Sequence, residues 1–362
     1  MLDKTTTRRG GLRRSRTLLT VLALAASVSL AACGSDDEDD SGLTKVTLGV
    51  PLPAMEMGYG NLALAEVEGY FEDEGIKIEA QFVKDSSGVL QALSAGNIDI
   101  GSTNPDAALA ARDKGQDVVM VYNSTRTSIQ YYAVLPDSDI DSVEDLEGKT
   151  IGVSSLQSGA KTTSDLALDF AGIDPESDVT YESVGVGAPA LDALQRGRID
   201  VLMLWTAAYA EMESLGVELE YIKPESTENL FSTGFVVDRK WAEDNQEIIE
   251  GFGRAWARST LHMINNPVET VEATWEQYPA TKTGENDAEK LAKILEAGFP
   301  NKYQGDPNTY DKWGSYEEEA VELWTQVAVD GGLTESKVDA ADAYTNDYVE
   351  AYNDFDRAEL KG

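Results

Sequence analysis

Short apolar runs alternate with amphipathic stretches along most of the chain, and this pattern predicts strands and helices in turn. The runs at 47–50 and 150–153 are typical of buried strands, and the stretch 60–71 has the apolar spacing of a helix. Asn104 followed by a proline predicts the start of another helix. From Trp241 onward the pattern is almost wholly helical, with predicted helices at 242–264, 268–277, 286–297, 316–329 and 339–352.

One pattern occurs twice. The segment Leu90–Ile100 matches Leu191–Val201 at six of eleven positions, and each copy follows a Thr-x-Gly-Val stretch by a similar distance. Each copy predicts a helix, a turn at the glycine and a buried strand, in that order. The repeat predicts an α/β protein with two similar lobes, each a mostly parallel sheet flanked by helices.

The repeat also indicates where a ligand would bind. In open parallel sheets, ligands lie outside the carboxyl ends of the strands, where helix N-termini also point. The corresponding loops of the two lobes are expected to face each other across a cleft, and they are 51–60, 102–104, 154–159 and 204–206. The ligand-binding residues expected from them are Met55, Glu56, Tyr59, Ser102, Thr103, Asn104, Ser155, Gln157, Ser158, Trp205 and Thr206.

Several of these side chains have an alternative interpretation. Trp205 follows an apolar strand and could pack in a core rather than cover a ligand. The polar residues at 102–104 could be helix caps only. Arg126 is a further binding candidate for an anionic group, but it could equally be a surface residue. His262 lies in a helical pattern and is expected to be a structural residue.

Composition narrows the classes of function. The chain has 362 residues with 29 Lys and Arg against 65 Asp and Glu, a net charge of −36, which disfavours a nucleic-acid partner. One Cys and one His leave no material for a disulfide framework or a Cys/His metal cluster, and little for a His-based catalytic centre. We therefore expect a protein without metal, cofactor or catalytic residues.

The N-terminus has the features of an export signal. A basic head precedes an apolar run, 18–32, which is too short to cross a bilayer. The run ends in Leu30-Ala-Ala-Cys33, which resembles the lipobox of bacterial lipoprotein precursors. That resemblance implies a signal peptide at 1–32 and a lipid on Cys33; the alternative is an ordinary secretory signal with a chance cysteine. The acidic segment 33–44 is predicted to be an extended tether.

Four passages resemble a known family: EGYFEDEG at 68–75, LSAGNID at 93–99, DLEGKTIGV at 145–153 and YTN at 344–346. They are similar, in order, to the nitrate/sulfonate/taurine and thiamine-precursor family of ABC-transporter substrate-binding proteins. The resemblance covers about residues 44–356. It implies a type II periplasmic-binding-protein fold, with crossover strands near 131–135 and 233–237.

The same resemblance implies the domain limits and the partners. Lobe one would comprise 45–132 and 234–362, with the helical C-terminal region packed on it, and lobe two would comprise 133–233. The partners would be a small-molecule ligand and an ABC permease with its ATPase. The protein would be an extracytoplasmic monomer that is tethered to the membrane through the lipid on Cys33.

Two other classes of function are compatible with the sequence. Some relatives in the thiamine-precursor branch are biosynthetic enzymes, and an adhesion or sensory module without a ligand is a third option. The large side chains Met55, Met57, Tyr59 and Trp205 favour an organic ligand, such as a sulfonate, a carboxylate or a heteroaromatic precursor, over nitrate.

Overall fold

The computed structural model describes residues 42–282 and 287–360. The predicted signal peptide, Cys33 and most of the predicted tether lie outside the described residues. The first sheet in the described part contains β1 Thr44–Val50, β2 Ile76–Phe82, β3 Ile100–Thr103, β4 Val118–Asn123 and β10 Gly234–Asp238. The second contains β5 Gln130–Val134, β6 Thr150–Val153, β7 Thr180–Ser183, β8 Val201–Trp205 and β9 Glu220–Ile222.

Helices flank both sheets. Those of the first lobe's N-terminal part are α1 Gly60–Val67, α2 Tyr70–Asp73, α3 Ser86–Ser94 and α4 Pro105–Asp113. Those of the second lobe are α5 Gly159–Ala171, α6 Ala188–Gln195 and α7 Thr206–Ser214. The C-terminal helices are α8 Arg239–Asp244, α9 Gln246–Asn265, α10 Pro267–Gln277, α11 Ala288–Gly298, α12 Glu318–Asp330, α13 Ala340–Ala343 and α14 Val349–Tyr352. No described helix is both long enough and apolar enough to cross a bilayer.

The two sheets have the same arrangement, with strand orders β2-β1-β3-β10-β4 and β7-β6-β8-β5-β9. In each sheet three neighbouring strands are parallel, and the next strand runs antiparallel to them. The predicted fold class, two similar α/β lobes with mostly parallel sheets, is confirmed.

The contacts of the repeated motif explain why the sequence matches itself. A Cβ on Gly49 of β1 would overlap the Ile98 side chain, and one on Gly152 of β6 would overlap Ile199. The glycine of each Thr-x-Gly-Val strand therefore leaves space for the isoleucine of the repeated Ile-Asp pair. The same close contact therefore occurs in both lobes: the glycine of β1 or β6 lies against the isoleucine that precedes the neighbouring parallel strand, β3 or β8.

The aspartate of the repeated pair makes a matching backbone contact. Asp99 Oδ2 accepts a 2.7 Å hydrogen bond from the Thr47 amide, and Asp200 Oδ2 accepts one of 2.7 Å from the Thr150 amide. In return, the Asp99 and Asp200 amides donate to the Thr47 and Thr150 carbonyls. The aspartates thus fix where each pair of parallel strands begins.

The chain crosses from one sheet to the other at 124–129 and returns at 223–233. The strands predicted as crossovers, near 131–135 and 233–237, correspond to β5 and β10. Each of these strands lies inside its sheet and is antiparallel to the neighbouring strand on either side. Its backbone groups are therefore hydrogen-bonded on both edges. The predicted lobe limits stay a prediction, and the limit at 132/133 falls within β5.

The C-terminal helices pack on the first lobe and also reach the second. Phe252 and Trp256 of α9 belong to the core beneath the first sheet. Leu295 of α11 shares a cluster with Ala207 of α7 in the second lobe, and Leu166 of α5 packs with residues of α12. The two lobes therefore touch through helices as well as through the crossings.

Two predicted C-terminal helices differ in the structure. The single helix predicted at 242–264 is divided at Asn245, and the one predicted at 339–352 is two short helices, α13 and α14. Tyr344 lies between α13 and α14 and bridges Met120 on β4, and the next amide donates to the Met120 carbonyl. Pairing with the sheet edge replaces helical hydrogen bonds there.

Candidate functional site

A cavity of about 400 Å³ lies between the two lobes at the carboxyl ends of the strands. The loops after β1, β3, β6 and β8 all contribute to its wall, together with both crossings. Its size falls within the range of pockets that enclose a small molecule. The four loops that the repeat singled out are thus brought together around one space.

Eight of the sequence-predicted binding residues line this cavity. They are Glu56, Tyr59, Ser102, Asn104, Ser155, Ser158, Trp205 and Thr206. Trp205 also packs against the core of the second lobe, so core packing is one of its roles, and its contact with a ligand stays a prediction.

Four candidates do not line the cavity. Met55 is buried in the first lobe's core, and Thr103 is buried at the end of β3. Gln157 is exposed on the 154–159 loop. The Arg126 guanidinium instead donates to the Tyr310 hydroxyl at 2.8 Å and to a Glu317 carboxylate oxygen at 3.1 Å.

Several helices begin at the cavity wall, and their caps explain the local sequence. Ser158 caps α5 by accepting a hydrogen bond from the Lys161 amide, and Asp85 caps α3 in the same way through Gly88. Free amides in the first turns of such helices favour negatively charged or electron-rich groups. Ser158 and Asp85 both line the cavity, so these helix N-termini lie at the cavity wall.

Asn104 joins three parts of the wall. Its Oδ1 accepts from the Ser86 hydroxyl at 3.0 Å, and its Nδ2 donates to the Ser232 carbonyl at 2.7 Å. The Asn104 side chain was predicted to cap α4, but it makes no cap hydrogen bond there. The oxygen and nitrogen of its side-chain amide are instead hydrogen-bonded to Ser86 and to the second crossing. Asn104 therefore fixes the position of the wall of the first lobe.

Gln130 is oriented by a second set of hydrogen bonds. Its Oε1 accepts from the Thr163 hydroxyl on α5 and from the Ser232 hydroxyl, both at 3.1 Å. Gln130 lines the cavity and is 6% exposed. With the oxygen occupied, the Nε2 group is the free end of this amide, a donor that suits an acceptor atom on a ligand.

The two crossings are hydrogen-bonded side by side next to the cavity. Thr125 Oγ1 accepts from the Thr233 amide at 2.8 Å, and Ser232 Oγ accepts from the Ile129 amide at 3.0 Å. Two connected segments of this kind allow one lobe to rotate against the other as a hinge.

Several titratable groups line the first lobe's side of the cavity: Glu56, Tyr59, Lys84, Asp85 and Lys302. The Tyr59 hydroxyl lies 2.9 Å from Ser102 Oγ, and burial raises the pKa of Tyr59 to about 12, so it stays protonated. Burial, and then the Glu211 carboxylate on α7, raise the pKa of Glu56 to about 7. Near neutral pH Glu56 is thus partly protonated and able to donate or accept a hydrogen bond.

Replacing Glu56 by glutamine is expected to remove a pH-dependent loss of stability. The folded protein holds the Glu56 proton up to about pH 7, whereas the unfolded chain releases it near 4.5. Stability therefore falls as the pH rises between these values. Glu56→Gln should match the wild type near pH 4.5 and exceed its free energy of unfolding by about 3 kcal/mol above pH 7, measured by urea denaturation. An equal difference at both pH values would contradict this prediction.

The sequence did not reveal the remaining wall of the cavity. Asp85 and Ser86 follow β2 in the same topological position as the predicted loops, and the Ser/Gly-rich stretch after Asp85 is a signal that could have found them. Trp256 of α9 and Lys302 after α11 reach the cavity by long-range packing, which leaves no local pattern. Among the residues at 42–282 and 287–360, no group of three His, Cys, Asp or Glu side chains is placed to hold a metal ion.

These features define a two-lobed protein with a ligand-sized cavity at the lobe interface. The chain belongs to the family described as "NMT1/THI5 like", which matches residues 58–270.

Two relatives of this chain are named for different functions. The riboflavin-binding protein RibY of Chloroflexus aurantiacus is 24% identical over 293 residues, covering 79% of this chain and 81% of that protein. The 4-amino-5-hydroxymethyl-2-methylpyrimidine phosphate synthase of Legionella pneumophila is 27% identical over 228 residues, covering 61% and 70%. One relative is thus named a binding protein and the other a synthase.

A solved structure supports the fold. The alkanesulfonate-binding protein SsuA of Xanthomonas axonopodis pv. citri, bound to MOPS, superposes with a TM-score of 0.63 and 16% identity, over 83% of this chain and 98% of that one. The chain has the fold of the solute-binding proteins of ABC import systems.

Proposed function

We propose that this protein is an extracytoplasmic solute-binding protein that captures a small organic molecule between its lobes and delivers it to an ABC importer. The observation that carries the proposal is the interlobe cavity, whose wall is built from equivalent loops of both lobes. A ligand that contacts both lobes binds the closed form more tightly than the open form and so drives closure. A permease with its ATPase would then recognise the closed shape.

The chemistry of the cavity supports an organic ligand with a ring. Tyr59, Trp205 and Trp256 supply aromatic surface, and Ser102, Asn104 and Gln130 supply hydrogen-bonding groups. The similar RibY protein is named for binding riboflavin, a heteroaromatic molecule. We therefore favour a heteroaromatic or aromatic ligand over a small inorganic ion.

Binding without chemical conversion is part of the proposal. The one histidine of the chain, His262, does not line the cavity: its Nδ1 lies 2.6 Å from the Tyr70 hydroxyl and its Nε2 lies 3.3 Å from Glu269. These partners on both nitrogens favour a structural role. The second candidate function is a biosynthetic enzyme on the same fold, which the synthase name of the Legionella relative favours.

The N-terminal sequence supports the proposed location. A basic head, a short apolar run and Cys33 in a lipobox-like context are the features of an exported lipoprotein precursor. A lipid on Cys33 and the acidic segment after it would hold a monomeric body near the membrane.

A thermal-shift panel tests the proposed function. The full chain is mixed with flavins, pyrimidines, aromatic carboxylates, organic sulfonates and nitrate. A true ligand that is present at a hundred times its Kd should stabilise the protein by about 2.7 kcal/mol and raise its Tm. We expect at least one ring-bearing compound to do so and nitrate to have no effect. A response to nitrate alone would contradict an organic ligand, and no response to any compound would contradict ligand capture.

A further inference from the structure

The cavity contains a lysine that lacks a partner. Lys302 lies just after α11 and lines the cavity, and its ammonium makes no ion pair or hydrogen bond with the described residues. This is unexpected in a chain with 65 acidic residues against 29 Lys and Arg. Other lysines do have acidic neighbours, such as Lys161, whose Nζ lies 2.6 Å from Asp165.

The C-terminal helices give the cavity wall an apolar part, to which Lys302 is adjacent in the chain. The wall on this side of the cavity comes from α9, α11 and the turn after it, with the side chains Trp256, Met263, Ile294 and Leu295 beside Gly298. Burial alone lowers the pKa of Lys302 to about 8. A charged ammonium in such a place costs free energy unless an anion joins it.

Neither of the two carboxyl groups that line the cavity, Glu56 and Asp85, supplies that anion, and Asp85 Oδ1 accepts a hydrogen bond from the Gly88 amide. The pKa of Glu56 is raised by burial and by Glu211, with no contribution from Lys302, so Glu56 is not the counter-ion of the lysine. The missing partner is expected to arrive with the ligand.

We propose that the ligand is an organic acid whose carboxylate, sulfonate or phosphate group pairs with Lys302 while its ring lies against the aromatic wall. This inference rests on the proposed function and names the class of ligand that the same cavity takes. Lysine suits all three groups because its ammonium is a compact charge, whereas the planar guanidinium of arginine favours acceptors that match its two-point geometry.

Matched pairs of probes test the inference with the full chain. The pairs are benzoate and benzamide, 4-toluenesulfonate and 4-toluenesulfonamide, and FMN and riboflavin; their members differ in the anionic group. In the wild type, the acid of at least one pair should bind at least tenfold more tightly than its neutral partner, as measured by calorimetry. Lys302→Met should weaken that acid at least tenfold and change the neutral partner less than twofold. Lys302→Arg should retain most of the preference.

Two further measurements make the result decisive. Lys293→Met, on the exposed side of α11, is the control and should leave both affinities unchanged. Without any probe, Lys302→Met should raise the Tm by a few degrees, because methionine keeps the volume of the stem and removes an unpaired buried charge.

The possible failures can be told apart. Neutral members that bind the wild type as tightly as the acids, or a lower Tm for ligand-free Lys302→Met, would overturn the role of Lys302 and leave capture of a ligand standing. A wild type that binds none of these probes and no compound of the thermal-shift panel would overturn the proposed function itself.

Discussion

Replacing Gly159 by alanine is expected to weaken ligand binding by about 5- to 150-fold. Gly159 is the first residue of α5 in the second lobe, and a Cβ there would lie 2.6 Å from Cγ and Nδ2 of Asn104 in the first lobe. Asn104 cannot easily move away, since Ser86 and Ser232 hold both ends of its amide. An overlap of this kind costs about 1–3 kcal/mol, and we expect opening of the lobes to relieve it, so the cost should fall on the ligand-bound form.

The measurement is the Kd of the panel compound that gives the largest thermal shift with the wild type. Alanine suits the first turn of a helix, so the second lobe should fold normally and the loss should lie in closure. Small-angle X-ray scattering with that compound present should show a larger radius of gyration for Gly159→Ala. Asp169→Ala, exposed near the other end of α5, is the control. An affinity within twofold of the wild type would show that closure does not bring Gly159 against Asn104.

Replacing Tyr352 by alanine is expected to cause a large loss of stability, about 3–5 kcal/mol. Tyr352 of α14 is fully buried, its ring lies 5.1 Å from that of Tyr122 on β4, and its hydroxyl donates to the Val121 carbonyl at 3.0 Å. A Cβ on Gly253 of α9 would overlap the Tyr352 ring, so α9 is shaped to receive it. This side chain joins the end of the chain to the first sheet.

Urea denaturation of three variants checks this assignment. Tyr352→Phe keeps the ring and loses one buried hydrogen bond, so it should cost about 1 kcal/mol. Glu350→Ala, exposed on the same helix, should change the free energy of unfolding by less than about 0.5 kcal/mol. A loss below about 1 kcal/mol for Tyr352→Ala would mean that α14 contributes little to the first lobe.

The internal repeat explains why much of the fold could be predicted. Gly49 and Gly152 are required by the isoleucines packed over them, and Asp99 and Asp200 by the strand amides they hold. These are short-range geometric demands, so they leave the same residues at the same spacing in both lobes. The repeat predicted two similar sheets, and the topology confirms them.

What the sequence did not predict depends on distant contacts. The break between α13 and α14 follows from pairing of Tyr344 with Met120, more than two hundred positions away. Arg126 was a plausible anion-binding residue, yet Tyr310 and Glu317 engage its guanidinium outside the cavity. Lys302 carries no motif around it, and only the packing of α11 brings it to the cavity. Local patterns indicate which loops meet, whereas tertiary packing decides which side chains reach the cavity.

Native mass spectrometry tests ligand capture most directly. The full chain is incubated with a small-molecule extract of the cells that make it, and both the complex and the released molecule are weighed. We expect one small molecule per chain, released with its mass unchanged however long the incubation lasts. A product of different mass that accumulates with time would instead identify an enzyme and contradict capture without conversion.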